Sequence, residues 1–327
     1  MTVVVITGAS AGVGRASAVA FGREGASVGL LARGSEGLEG ARADIERAGS
    51  RALALPADVA AADEVEEAAA RAEQELGPID VWVNNAMVTV FAPFAELEAD
   101  EFRRVTEVTY LGAVHGTMAA LRRMRPRDQG TIVQVGSALA YRGIPLQAAY
   151  CGAKHAIVGF TESLRCELIH EGSSVRVSMV HLPGLNTPQF DHCRNKLPRK
   201  PQPVPPIYQP EVAADAVLLA AHTGRREIFV GWPTVASIMG NRVSPALMDH
   251  YLASRAYDGQ LAPDPAPSDG RDNLYEPVPG DPGAHGRFDG EAHGSSLQLQ
   301  ATAHRRLLSA LAGAVAAGVM GRRRSSV

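Results

Sequence analysis

The sequence predicts one α/β domain, a parallel sheet of seven strands wound on both faces by helices, followed by an irregular C-terminal extension. Three observations predict this fold. Up to about residue 230, short β-branched or apolar runs alternate with longer helical patterns, the order expected of stacked βαβ units. A glycine-rich turn joins the first strand to the first helix. After residue 257 the aliphatic content falls, and Pro, Gly, Asp and His dominate.

Each predicted strand is a short apolar run, and each predicted helix is long enough to cross over between parallel strands. Strands are predicted at 3–7, 27–32, 51–55, 81–84, 130–136, 175–181 and 227–230. Helices are predicted at 13–24, 37–48, 63–76, 100–124, 150–171 and 210–222. The main domain is therefore expected to cover residues 1–257, with a proline-rich insertion at 182–210 that forms a lid.

Residues 258–327 are predicted to form the Pro/Gly-rich extension. Its first part, 258–296, has too little aliphatic content for a core and is expected to wrap the domain surface as an arm. Residues 307–320 form an apolar Ala/Gly-rich run, shorter than the roughly 20 residues that span a bilayer. This run is expected to be a helix that packs on the protein, or one that makes peripheral contact with a membrane, since arginines flank it.

Composition narrows the class of protein. The chain has 327 residues, 46% of them hydrophobic, with 32 basic against 35 acidic side chains. This near-neutral balance gives no electrostatic reason to bind nucleic acid, and no such partner is expected. Three cysteines do not suggest a disulfide framework, and the N-terminus has neither a basic region nor a cleavage site. We therefore expect a cytoplasmic protein, with membrane association as the alternative.

The turn after the first strand reads Thr-Gly-Ala-Ser-Ala-Gly-Val-Gly from position 7 and opens a helix. Glycines let the backbone approach a pyrophosphate, and the amides at the helix N-terminus carry a positive partial charge. The same glycines could mark an ordinary structural turn. If the turn holds a dinucleotide, the residues that contact it are expected to be Gly8, Ser10, Gly12, Val13 and Gly14.

The second strand ends in Arg33, where an NAD-specific enzyme usually places an acidic residue for the ribose 2′-hydroxyl. Together with Ser10 and Arg15, Arg33 would give a 2′-phosphate charge-assisted donors, so the sequence favours NADP(H). Alternatively, Arg33 only caps an exposed strand end. Asp58 and Val59 follow the third strand, where the adenine ring is expected.

Tyr150 and Lys154 lie four residues apart on a predicted helix, so both project from one face. A neighbouring ammonium stabilises a phenolate and lowers the pKa of the tyrosine, which would make Tyr150 a general acid/base. Ser137 ends the fifth predicted strand, at the carboxyl edge where open α/β sheets bind ligands, and could hydrogen-bond a carbonyl oxygen.

With Asn84-Asn85-Ala86 at the end of the fourth strand, these motifs resemble the short-chain dehydrogenase/reductase family over about residues 1–235. The resemblance implies a Rossmann-type fold and hydride transfer between NADP(H) and a ketone or secondary alcohol. It implies that Tyr150 donates the proton, that Lys154 holds the nicotinamide ribose and lowers the tyrosine pKa, and that Ser137 orients the carbonyl. It further implies a homodimer or homotetramer, and cofactor contacts from Asn85, Ala86, Tyr150, Lys154, Pro183, Gly184 and Thr187.

Two positions depart from the family pattern. Met87 stands where the family usually has glycine, and Thr109 aligns with a family asparagine that positions a water in the catalytic set. Thr109 is retained as a candidate catalytic residue, although these departures also admit a catalytically weak NADP(H)-binding sensor or scaffold.

The expected substrate pocket has few charges, which favours a mostly apolar ketone or alcohol. Its candidate residues are Met87, Leu139, Tyr141 and Gln147. No metal site is expected, because the histidines and cysteines show no ligand spacing.

Overall fold

The computed structural model describes residues 2–266 and 271–305. Its centre is a parallel sheet in the order β3-β2-β1-β4-β5-β6-β7, in which every neighbouring pair runs parallel. The predicted fold class, a Rossmann-type doubly wound domain, is confirmed. The strands are β1 (Val3–Thr7), β2 (Ser27–Ala32), β3 (Ala52–Pro56), β4 (Val81–Asn84), β5 (Thr131–Ser137), β6 (Arg176–Leu182) and β7 (Glu227–Phe229).

Alternation along each strand divides the core into two layers, because successive side chains point to opposite faces of a sheet. Val4 and Ile6 of β1 pack in one cluster, whereas Val3 and Val5 pack in the other. The first cluster includes residues of α1 (Gly12–Arg23), α2 (Ser35–Arg47) and α8 (Pro210–Thr223). The second includes residues of α3 (Ala62–Leu76), α4 (Ala99–Thr106), α5 (Gly112–Met124) and α6 (Ala148–His170).

The predicted helix 100–124 is interrupted. Between α4 and α5 the chain forms a π-helical turn, Glu107–Leu111. Thr109 lies in this turn, and its hydroxyl donates to the carbonyl of Val88 at 3.0 Å and accepts from the amide of Val88 at 3.2 Å. At the start of α5, a Cβ on Gly112 would lie 2.6 Å from Val59, so the helix comes close to the loop after β3. A π-turn marks an irregular helix that periodicity does not reveal.

Two helices after β7 were not predicted: α9 (Trp232–Val243) and α10 (Pro245–Gly259). The proline-rich insertion at 182–210 contains a short helix, α7 (Gln189–His192), and two short strands. One of these, Arg194–Asn195, pairs with Val90–Phe91, and the other, Arg199–Pro201, pairs antiparallel with Leu261–Pro265.

The extension is irregular from 271 to 296, as predicted, and ends in α11 (Leu297–Ala303). It lies on the domain, since Leu274, Phe288 and Leu299 are buried in core clusters. The helix predicted at 307–320 lies outside the described residues.

Candidate active site

One cavity of about 670 Å³ lies at the carboxyl edge of the sheet, where loops leave the strand ends. It brings together most of the candidate residues from the sequence. Those that line it are Gly8, Ser10, Gly12, Val13, Arg33, Asp58, Val59, Asn85, Ala86, Met87, Ser137, Leu139, Gln147, Tyr150, Lys154, Pro183, Gly184 and Thr187.

The glycine turn packs tightly against the end of β4. Gly8 has a φ of +66°, and a Cβ there would lie 2.8 Å from the Cα of Ala86. The hydroxyl of Thr7 accepts from the amides of Asn85, at 2.9 Å, and Ala86, at 3.0 Å. Gly14 does not line the cavity; a Cβ there would lie 2.1 Å from the carbonyl oxygen of Gly8. Gly14 therefore serves the close approach of α1 to the turn.

The turn and the start of α1 fit a dinucleotide. The cradle is lined by Gly8 and Gly12, both with positive φ, where side chains would be strained. The N-terminus of α1 supplies a positive partial charge for a pyrophosphate, and the amide of Gly12, its first residue, donates to the carbonyl of Gly283 at 3.1 Å. Arg33 also lines the cavity and adds a cation to it.

Of the two arginines expected at the 2′-phosphate, only one lines the cavity. Arg33 lines the cavity and donates to backbone carbonyls of the extension, those of Asn273 at 2.5 Å and Tyr275 at 2.6 Å. Arg15 lies outside the cavity, because its guanidinium pairs with Asp44 at 2.7 Å and with Asp281. The structure therefore does not bring Arg15 to the place expected from the sequence.

Ser137, Tyr150 and Lys154 meet across the cavity. Ser137 ends β5, and its hydroxyl accepts from the amide of Leu139 at 3.1 Å. Tyr150 and Lys154 lie in the first turns of α6, with the Nζ atom 5.6 Å from the centroid of the phenol ring. Lys154 is buried and donates from Nζ to the carbonyl of Val135 at 2.6 Å.

Comparison with known proteins decides the family. The model of the family described as short chain dehydrogenase matches residues 2–197. The chain belongs to this family. It is 33% identical over 276 residues to an uncharacterized oxidoreductase, YxnA, of Bacillus subtilis, covering 84% of this chain and 78% of that one. It is 31% identical over 229 residues to a 3-dehydrosphinganine reductase of Danio rerio, covering 68% of each.

Short-chain dehydrogenases are oxidoreductases that use nicotinamide dinucleotides for carbonyl/alcohol redox reactions, and this chain is an enzyme of that kind. Within the described residues, no group of three or more His, Cys, Asp or Glu side chains could hold a metal ion. The helices of that same part include none long and apolar enough to cross a membrane.

Burial shifts the pKa values of both Tyr150 and Lys154. It raises the pKa of Tyr150 well above the ordinary value, and the hydroxyl of Ser137 opposes this shift through a hydrogen bond. It also lowers the pKa of Lys154 to about 8. The sequence argument expected the ammonium to lower the pKa of the tyrosine, whereas in this structure the loss of hydration dominates. Tyr150 is therefore protonated at neutral pH.

Thr109 and Tyr141 do not reach the cavity. The hydroxyl of Thr109 is bonded to the backbone of Val88, as described above. The hydroxyl of Tyr141 donates to Glu227 at 3.1 Å, and its ring lies 4.9 Å from that of His181. Burial and the charge of Glu227 raise the pKa of Tyr141 to about 12.

The substrate end of the cavity is lined by more of the chain than was expected. Gln147 reaches it, but its amide donates to Gln260 at 2.7 Å. Arg142, the cation at this end, pairs with Asp249 at 2.5 Å. The residues that sequence reasoning missed here include Phe190, Met248, Tyr251 and Leu252.

At the cofactor end, the structure adds residues of the extension to the cavity wall. They are Asn273, Pro277, Val278, Gly280 and Pro282. The low aliphatic content of 258–296 predicted an arm on the surface, but no pattern in it indicated the cofactor site.

Proposed function

We propose that the protein is an NADP(H)-dependent oxidoreductase that transfers a hydride between its cofactor and a mostly apolar ketone or secondary alcohol, with Tyr150 as general acid/base. The observation that carries the proposal is that Ser137, Tyr150 and Lys154 share one cavity with the glycine cradle. A nucleotide site alone would not require a tyrosine and a buried lysine beside it.

The choice of NADP(H) rests on Arg33. Its hydrogen bonds go to neutral carbonyls, so its charge is not cancelled by direct contact. Asp58 has the largest charge effect of any acid on Arg33 but is itself paired with Arg104, and Glu276 acts on Arg33 more weakly. A guanidinium has five N–H groups, and those not used by the carbonyls can donate to a 2′-phosphate.

Each residue of the catalytic set has one task in ketone reduction. The hydroxyl of Ser137 accepts from Leu139 and hydrogen-bonds to Tyr150, and it would turn its hydrogen to the carbonyl of a bound ketone. Tyr150 is protonated near neutral pH and gives its proton to the same oxygen. Lys154 presents its remaining N–H groups beside the cradle, where they would hold the nicotinamide ribose. The bound nicotinamide supplies the hydride, so hydride and proton together convert the carbonyl to an alcohol.

The substrate class follows from the walls of the cavity. Met87, Leu139, Ile144 and Leu252 contribute apolar surface. Burial lowers the pKa of His192, which is therefore neutral at pH 7, and Arg142 is already paired. An anionic substrate would find no unpaired cation among these residues, which supports an apolar ketone.

The test is a fluorescence titration with NADPH and NADH, followed by turnover of a panel of ketones and aldehydes. In Tyr150→Phe, we expect kcat to fall by about 100-fold or more while NADPH still binds. Tyr141→Phe is the matched control, since it also removes one phenol hydroxyl but lies outside the cavity. Full activity of Tyr150→Phe, or turnover of charged sugars alone, would contradict the proposal.

A second candidate is a nucleotide-binding sensor or scaffold with little turnover. It is favoured by Thr109, whose hydroxyl is occupied by Val88 and cannot take the place of an asparagine side chain. Tight NADPH binding without turnover of any substrate in a broad panel would support this candidate instead.

A further inference from the structure

Residues 272–283, here called the strap, cross the cofactor end of the cavity and form one of its walls. The strap contributes Asn273, Pro277, Val278, Gly280 and Pro282 to the lining. It comes from the extension, more than 230 residues beyond the glycine turn in the chain.

The first half of the strap is anchored in the core. Leu274 is fully buried at 0% exposure, and its carbonyl accepts from Nε of Arg104 at 3.1 Å. Asp272 pairs with Arg194 at 2.8 Å, and the amide of Asn273 donates to the carbonyl of His192 at 2.8 Å. Charged and apolar contacts together fix this segment, so its carbonyls are held in place beside Arg33.

The second half lies against the start of α1 and along α2. The carbonyl of Gly283 accepts from the amide of Gly12 at 3.1 Å, and Asp281 pairs with Arg15. Two glycines of α2 make room for it. A Cβ on Gly40 would lie 2.2 Å from Oδ2 of Asp281, and one on Gly37 would lie 3.2 Å from Pro282.

The strap contacts the two candidate arginines with different groups, neutral carbonyls at Arg33 and a carboxylate at Arg15. Arg33 donates to three strap carbonyls, including that of Leu274 at 3.5 Å, and keeps its full charge. Arg15 meets two carboxylates, Asp44 and Asp281, and Asp44 also pairs with the exposed Arg47, so direct contact cancels the positive charge of Arg15. A dianionic 2′-phosphate is attracted by the first arrangement and not by the second.

We propose that the strap is a specificity-determining part of the dinucleotide site: its carbonyls hold Arg33 as the cation for the adenosine 2′-phosphate, and Asp281 withdraws Arg15 from that role. This inference rests on the proposed function, because it requires that the cavity bind a nicotinamide dinucleotide. Within it, Leu274 and Asp281 are positioning residues that act through the two arginines.

Two variants test the strap through binding alone, measured as the Kd of NADPH and of NADH by fluorescence titration of the full chain. Asp281→Asn removes one negative charge beside Arg15, and we expect NADPH to bind about three- to tenfold more tightly at low salt, with NADH changed less than about twofold. The gain should shrink as ionic strength rises. Glu39→Gln is the control, since it removes an acidic charge from the exposed side of α2, where Glu39 pairs with Arg42.

Leu274→Ala removes the buried anchor of the strap. We expect it to weaken NADPH binding by about tenfold or more while NADH binding changes little, because only the 2′-phosphate uses Arg33. If this variant does not fold, the NADPH and NADH affinities of Asp281→Asn alone test the inference. Unchanged NADPH/NADH ratios, or weaker NADPH binding in Asp281→Asn, would overturn the inference about the strap while leaving the proposed function intact. Wild-type protein that binds neither dinucleotide, or prefers NADH, would overturn the NADP(H) proposal as well.

Discussion

The titration of Lys154 is expected to set the alkaline limit of ketone reduction. Burial lowers the pKa of this lysine to about 8, and the charged form is the one that can hold a ribose hydroxyl beside Tyr150. Two other titratable groups of the cavity have pKa values that are shifted away from pH 8. Burial raises the pKa of Tyr150 and lowers that of His192.

The size of the effect follows from that pKa. A group with a pKa of about 8 is roughly nine-tenths charged at pH 7 and about one-tenth charged at pH 9. If only the ammonium supports the reaction, kcat/KM for reduction falls by roughly tenfold between these pH values. The rate decreases as pH rises, because the lysine loses its proton.

The assay is NADPH oxidation at low ketone concentration across this pH range. Lys154→Arg is the informative variant, since a guanidinium stays charged throughout, although its geometry differs and the rate at pH 7 is expected to be lower. We expect its profile to be flat where that of the wild type declines. A decline of the same size in Lys154→Arg, or no decline in the wild type below about pH 10, would refute the assignment to Lys154.

Two further predictions concern stability. Gly14→Ala would place a Cβ 2.1 Å from the carbonyl oxygen of Gly8, so we expect the free energy of unfolding to fall by about 1–3 kcal/mol and dinucleotide binding to weaken. Gly159→Ala lies on the exposed side of α6 with open space around it, and should raise the free energy of unfolding by up to about 1 kcal/mol. Thermal unfolding measures both changes. His181 is fully buried, and burial lowers its pKa to about 4. Between pH 6.5 and 4, the unfolded chain therefore binds a proton at this residue that the folded chain does not. The free energy of unfolding is expected to fall by up to about 3 kcal/mol as the pH decreases through this range. His181→Phe should lose this part of the pH dependence. If the free energy of unfolding, measured by urea titration at each pH, falls as steeply in His181→Phe as in the wild type, the prediction is wrong.

The central sheet could be predicted because its signal is local. Each strand is a continuous apolar run, and burial on both faces is what a parallel strand requires. The end of each run then locates the cavity, which is why the sequence predicts that Arg33, Asn85 and Ser137, each at or directly after a strand end, lie at one site.

The parts that could not be predicted depend on contacts distant in sequence. Helices α9 and α10 have prolines in their first turns, Pro233 and Pro245, a common start signal, but their exposed apolar faces do not show a clear helical period. The ion pair of Arg15 with Asp281 joins residues 266 positions apart. The sequence predicted Tyr141 in the substrate pocket, yet its hydroxyl donates to Glu227, which lies 86 residues away in the chain.

The burial of Lys154 bears on whether the site performs chemistry or only binds a nucleotide. A lysine whose pKa falls from 10.5 to about 8 on folding costs the protein roughly 3 kcal/mol at neutral pH, because the charged form is less well solvated in the folded state. One hydrogen bond, to Val135, does not compensate for this loss. A scaffold that only binds the nucleotide could hold the ribose hydroxyls with an uncharged donor such as an amide side chain, without a buried charge. A reductase needs the ammonium one turn from a protonated tyrosine, so the energetic cost itself favours catalysis over binding alone.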